Sequence, residues 1–271
     1  MKIIILLIFS FFMFNSLFSG LIITRSEMGI VSQELYHDNM FAEIHDDHIV
    51  SIWDFNTFEL TLIHHLLRIY TTVDFETFKQ YAQRQNQAEI NSELRNFDEE
   101  RRKLMAEATM TLFNRLRPNF AVVDTLSIFG FTTHEFNVFN GDIIAQKVWI
   151  SRALQEKINE IVNPLNIRQV ELIFKENREN YFEALGIQLD PISRLVEALE
   201  DSGYVVQRVD YGIRMTHDPE HEAEVESHIN TITDIVEMNI DPAIFTYHQR
   251  FRRLDYNAYQ MAVIRHMESQ L

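Results

Sequence analysis

The sequence predicts an α+β fold in which an antiparallel β-sheet is covered by helices. Three observations point there. Short runs with period-two alternation fill residues 21–72, the period changes to that of a helix at Asp74, and an Asn140-Gly141 pair stands between two further alternating runs.

The elements follow in chain order. LIITRSEM, GIVSQELYH, NMFAEIHD and HIVSIWDF are broken at Gly29, at His37-Asp38-Asn39 and at Asp46-Asp47, which reads as a meander over 21–72. Phe58, Leu60 and Leu62 alternate with Glu59, Thr61 and Ile63, as in a strand covered on one side. Asn56-Thr57 is the turn before it, because Asn tolerates the left-handed region, and His64-His65 falls in the turn after it. Asp74 is an N-cap with Glu76 in the first turn, and Phe75, Phe78, Tyr81 and Ala82 open a helical stripe that continues to Leu116 before Pro118. An unbroken helix over 75–116 would be ~60 Å long, so a break is expected in the Gln-Asn-rich stretch 83–92.

Residues 120–150 return to strand, with Gly130 as punctuation and a type I′ hairpin expected at Asn140-Gly141. Three helices are expected between 152 and 202: one over 152–162 capped by Ser151, one over 167–185 ending at Gly186, and one with Asp190 as cap and Pro191 at its first position. Two strands are expected over 204–210 and 211–216. Residues 226–238 are read as a strand despite their Glu content, because Ile229, Thr231, Thr233 and Ile235 are β-branched and alternate. Asp241-Pro242 turns the chain into a closing helix from about Asp255 to Glu268.

The chain has 271 residues, 46% hydrophobic, which suffices for one domain over residues 20–271. Residues 1–19 have the form of a secretory signal peptide: Lys2, an apolar run from Ile3 to Phe14, and small residues at Ser19 and Gly20, after either of which cleavage is expected. An uncleaved anchor is the competing reading, since apolar residues resume at Leu21, but Asn15, Ser16, Ser19 and Gly20 interrupt the ~20 apolar residues a span requires. The absence of Cys excludes disulfides, thiolate metal sites and lipidation at the cleavage point, and an exported chain of this kind suits a bacterial periplasm. Forty acidic against 24 basic residues, a formal charge of −16, argue against nucleic acid and against anionic membrane faces as partners, and no stable membrane insertion is expected after cleavage.

Three patches carry a resemblance to a known group: IVSIWDFNTFELTLIHHLLRIYTTVDFETF, GFTTHEFNVFNGDIIAQKVWIS, and IVEMNIDPAIFTYHQRFRRLDYNAY. In order along the chain they resemble the strand–turn–strand–helix, Gly-aromatic hairpin and closing strand–Pro–Phe elements of exported bacterial proteins of uncharacterised function, whose fold is similar to the lipoprotein carriers LolA and LolB. The resemblance implies a curved, incompletely closed half-barrel with helices against its concave side, and a space between them that in the carriers receives acyl chains. It implies no catalytic residue, metal or cofactor. A lipid or lipoprotein ligand, or an envelope protein partner, is the corresponding expectation. The helices over 75–116 and 152–202 are larger than the carriers' lid.

Among candidate sites, His45 and His48 flank Asp46-Asp47, His64 and His65 are adjacent, and His217-Asp218-Pro219-Glu220-His221 precedes His228, a set with ligand chemistry for a divalent ion. None has a strict metal motif, and adjacent His64 and His65 on an extended chain point to opposite faces, so turn residues are the simpler reading and 217–221 the first place to look for a metal. Asp98-Glu99-Glu100 followed by Arg101-Arg102-Lys103 reads as a solvated helix face. No Gly-x-Ser-x-Gly or phosphate-binding loop marks an enzyme. Trp53, Phe55, Phe58, Phe136, Phe139 and Trp149 lie near strand ends, where they either fill the sheet–helix core or line a cavity for a lipid-like ligand.

Overall fold

The computed structural model describes residues 19–96, 99–186, 189–212 and 226–270, and one 12-stranded sheet dominates it. The first six strands are β1 (Ser19–Glu27), β2 (Ile30–His37), β3 (Met40–His45), β4 (His48–Asp54), β5 (Glu59–His64) and β6 (Ile69–Asp74). Helices α1 (Phe75–Asn96) and α2 (Glu99–Phe113) follow, then β7 (Pro118–Ile128), β8 (Phe131–Asn140) and β9 (Ile143–Ser151). Next come α3 (Arg152–Ile161), α4 (Pro164–Ala184), α5 (Pro191–Glu200), β10 (Tyr204–Gly212), β11 (Glu226–Asn239), β12 (Arg252–Arg253) and α6 (Tyr256–Glu268). The strand order is β12-β6-β5-β4-β3-β2-β1-β11-β10-β9-β8-β7, antiparallel except where β12 joins β6.

The meander is as expected, and its turns explain its regularity. Met28-Gly29, Asp38-Asn39, Asp46-Asp47 and Phe129-Gly130 each link two strands through two residues, and all eight have positive φ. That is the type I′ arrangement, whose twist matches the strands it joins. Asn140-Gly141 departs from it. Asn140 pairs with Ile143, so the turn is Gly141-Asp142, and of these two only Gly141 (φ 63) is left-handed, as in a type II′ turn. The Asn140 side chain instead accepts from the Arg117 amide at 3.0 Å.

Other boundaries move for identifiable reasons. Phe58, expected to open a strand, has φ 58 and is the left-handed residue of its turn. The Asp54 carboxylate accepts from the amides of Asn56 (2.8 Å) and Thr57 (3.3 Å), and the Phe58 carbonyl accepts from Phe75 (3.0 Å), which fix that conformation. Helix α1 runs through 83–92 without a break: Gln is a good helix former and Ile90, 3% exposed, anchors the middle. Helix α1 ends at Asn96 and α2 begins at Glu99, with residues 97–98 outside the described ones. Helix α4 begins at Pro164 rather than 167, because Asn163 caps it by accepting from Leu165 and Pro164 takes the first position. β10 is one strand to Gly212, and the strand expected over 211–216 lies mostly outside the described residues.

Alternation along each strand sorts the core into two faces. Leu21, Ile23, Tyr36, Trp53, Leu60 and Val206 face one side and pack on Leu154, Ile158 and Val162, so α3 with parts of α1 and α4 covers it. On the other side Leu35, Ala42, Ile52 and Ile63 pack on Ile240 and Phe245, the residues that follow β11. Val138, Val148 and Ile150 lie on that same side under Val196 and Leu199 of α5. Helical segments therefore cover both faces, whereas the expectation placed them on one.

Leu154 is fully buried and its amide is held by the Ser151 cap at 3.1 Å. Leu154→Ala is expected to destabilise the chain by about 2–5 kcal/mol in urea unfolding.

Candidate functional site

The site that the fold assembles best is the seam between α1 and α4. Phe75 and Phe78 are brought onto the sheet because Asp74 starts the helix: its carboxylate accepts from the Thr77 amide (2.7 Å) and hydroxyl (2.7 Å). These bonds hold the exposed Asp74 carboxyl below its usual range. Trp53 of β4 then meets Phe75 (5.6 Å between centroids), Phe78 (5.4 Å) and, from α4, Phe174 (6.2 Å), while Phe55 and Phe58 pack edge-on to Phe75. Trp53 is 6% exposed but Phe174 is 52% exposed, so this aromatic group runs from core to surface.

Past the aromatics the seam turns polar. Lys79 pairs with Glu176 at 3.1 Å, and the Asn86 amide donates to the Asn177 carbonyl at 2.8 Å. A cleft of 370 Å³ follows, lined by Gln83, Asn86, Gln87, Asn177 and Asn180 over Ile90. A 600 Å³ cleft on the far side of α4 is lined by charges of both signs, including Arg178 and Glu197, paired at 2.6 Å. Beyond the Phe78–Phe174 contact (6.1 Å) the helices are joined across the seam by surface-type polar contacts, each worth about 1 kcal/mol or less.

Of the sequence candidates, Trp53, Phe55 and Phe58 come together here. Phe136 packs on Phe120 (6.1 Å) and Trp149 lies under the Lys147 ammonium (6.0 Å), both away from the seam. Phe139 sits at the Gly141 hairpin end of β8. His64 and His65 diverge as expected: His64 faces His266 of α6 (5.3 Å) and His65 stacks on His48 (4.3 Å). His45 pairs with His48 across the β3–β4 turn in the backbone register, and His228 reaches Met28 Sδ at 3.3 Å. Among the described residues no three His, Cys, Asp or Glu converge as metal ligands. His217 and His221 lie outside the described residues, as does Asp98, while Glu99 and Glu100 are exposed in the first turn of α2.

Sequence reasoning missed a half-buried polar group. Glu34 accepts from Tyr36 (2.7 Å), Tyr204 and Arg25 (2.9 Å), and Arg25 also donates to Asn230 (3.1 Å) and the Val205 carbonyl (2.7 Å). Burial, reinforced by the Glu34 charge, pushes both tyrosine hydroxyls well above their usual range, so they remain donors. These partners are up to 205 positions apart, and no local pattern announces them. Every oxygen of Glu34 is occupied, which suits a structural clasp between β1, β2 and β10 and not a proton carrier. Arg25→Ala leaves Glu34 with the tyrosines alone and is expected to cost about 2–3 kcal/mol in urea unfolding, with Tyr204→Phe nearer 1 kcal/mol.

Comparison with protein-family models finds no match, and comparison with curated proteins finds none.

Proposed function

We propose that the chain is an exported, non-enzymatic periplasmic protein with a LolA-like open sheet that holds a hydrophobic or lipid-like ligand, free or as part of a lipoprotein, at the α1–α4 seam. The observation that carries this reading is Phe174: a half-exposed aromatic continuous with buried Trp53, at a seam held further along by polar contacts. An apolar chain entering there would cover Phe174 and Phe78, and the amides of Gln83, Asn86 and Asn177 would face an uncharged polar end. Export rests on the leader at residues 1–19. Strand β1 starts at Ser19, so cleavage after Ser19 leaves Gly20 to open the ladder opposite Met238. No helix among the described residues is long and apolar enough to cross a membrane.

A second reading, an envelope interaction protein without a ligand cavity, is favoured by α2. That helix exposes Leu104 (60%), Met110 and Leu112, a surface suited to a protein partner.

The full chain expressed with its leader should retain an amphiphile in native mass spectrometry, and should bind the apolar probe 1-N-phenylnaphthylamine saturably. Phe174→Glu is expected to weaken probe binding at least tenfold without loss of folding. A clean ligand-free mass together with non-saturable probe binding would overturn the ligand reading.

A further inference from the structure

The face of the sheet opposite the seam is closed by a short segment that packs Ile240 and Phe245 on aliphatic side chains and is ringed by imidazoles. After β11 the chain crosses β2–β6 as two 3-10 turns, Pro242–Phe245 and Tyr247–Arg250, and then joins the edge of β6 through bonds from Arg252 to the Arg68 carbonyl (3.0 Å) and from Leu254 to the Tyr70 carbonyl (2.9 Å). Phe245 stacks on His37 (5.8 Å, 14°), and Tyr247 stacks on His65 (5.4 Å, 20°). His65 stacks in turn on His48 at 4.3 Å, and Phe251 meets it edge-on at 5.3 Å. His248, from the segment itself, packs on Tyr70 at 4.8 Å. The Tyr247 hydroxyl bonds the Ile49 carbonyl (3.2 Å) and His65 Nε2.

We propose that residues 240–254 are an acid-released latch: the neutral rings of His65 and His248 help to hold the segment on the sheet, and their protonation lets it lift and uncover the apolar face of β2–β5. The charged surroundings favour release in acid. The Arg68 guanidinium lies over Phe251 (5.5 Å), and Arg250, Arg252 and Arg253 are on the segment or its end. His64 and His266 complete a cluster in which no ion pair to a carboxylate is found among the described residues: Glu43 is bonded to Ser51, Asp241 caps its own turn, and Asp255 caps α6. A proton on His65 finds no counter-charge beside it, where the His48 ring stacks at 4.3 Å. His37 and His248 are 3% and 7% exposed, and Nδ1 of each is buried without a hydrogen-bond partner.

Burial lowers His65, against the Ile49 carbonyl that favours its proton, and His48 and His64 add to the lowering. Burial likewise lowers His248, and lowers His64 together with the nearby His266. Groups lowered in the closed form stabilise it fully above their free value near 6.5, and that contribution is lost as pH falls below it. The covered face is built from Leu35, Ala42, Ile52 and Ile63, so an opened latch exposes apolar side chains distinct from those at the α1–α4 seam.

Hydrogen exchange of the full chain at pH 7.5 and pH 5.0, corrected for intrinsic rates, tests this. The amides of Phe251, Arg252 and Leu254 should lose at least tenfold protection at pH 5.0, while Val162 and strand β9 keep theirs. His65→Gln and His248→Gln together should remove that difference. His48→Gln, at an exposed position, should reduce it even if the double variant does not fold. Equal protection at both pH values, or a loss spread evenly over all elements, would overturn the proposal.

Discussion

Everything in this fold depends on the pairing of β1 with β11. Strand β1 lies between β2 and β11, and its ladder to β11 joins residues as far apart as Ser19 and Asn239. Without that ladder the meander β1–β6 and the strands β7–β11 would be two separate sheets, each with an apolar edge. With it, Leu21 and Ile23, both fully buried, sit at the centre of the sheet under Leu154 and Ile158 of α3. The Arg25–Glu34–Tyr204 clasp crosses the same junction and fixes its register one turn further along. Gly20 belongs to the junction as well: a Cβ there would stand 2.8 Å from the Tyr36 carbonyl and collide with Ile240, so only Gly lets the end of β1 lie this close to both.

The two faces made by this sheet differ in how they are covered. The face under α3 is closed by aliphatic side chains at 0–2% exposure, and its weak point is lateral, where α1 leans on α4 through polar contacts and Phe174 remains half in water. Among the described residues, no long helix lies over β2–β5 on the opposite face. A segment with two short turns covers it, and the aromatic stacks that hold it use histidine where a purely structural contact would be satisfied by Phe or Leu. On the functions proposed above, one face offers a seam for an apolar ligand, and the other a cover whose attachment depends on protonation.

Much of this was legible in the sequence, because most of the fold is local. The meander was readable from Gly29, Asp38-Asn39 and Asp46-Asp47, residues that tolerate positive φ and leave few alternatives for two-residue turns. Asp74, Ser151 and Asp190 announced helix starts through side chains that do accept the expected amides. The β-branched run at 229–236 outweighed the Glu-rich helical signal because it pairs on both sides, with β1 and β10. What was not legible is long-range. Nothing near Glu34 points to Tyr204, nothing near His65 points to Tyr247, and Phe174 reads as one more apolar residue of α4 until Trp53 is placed beside it. The left-handed Phe58 was hidden for a related reason: Phe is a poor residue for that region, and it is held there by Asp54 and Phe75, which a propensity argument does not see.

The junction of β1 and β11 is also open to a direct test. The chain contains no Cys, so paired substitutions report a single cross-link without background. Ile22 lies opposite Val236 and Ile23 opposite Ile235, and of two neighbouring antiparallel pairs one is a non-hydrogen-bonded site with close Cα atoms. Under mild oxidation, Ile22→Cys/Val236→Cys or Ile23→Cys/Ile235→Cys should form an intramolecular disulfide in the folded full chain, linking residues more than two hundred positions apart. Failure of both pairs to cross-link in folded protein would contradict the central pairing and, with it, the single continuous sheet.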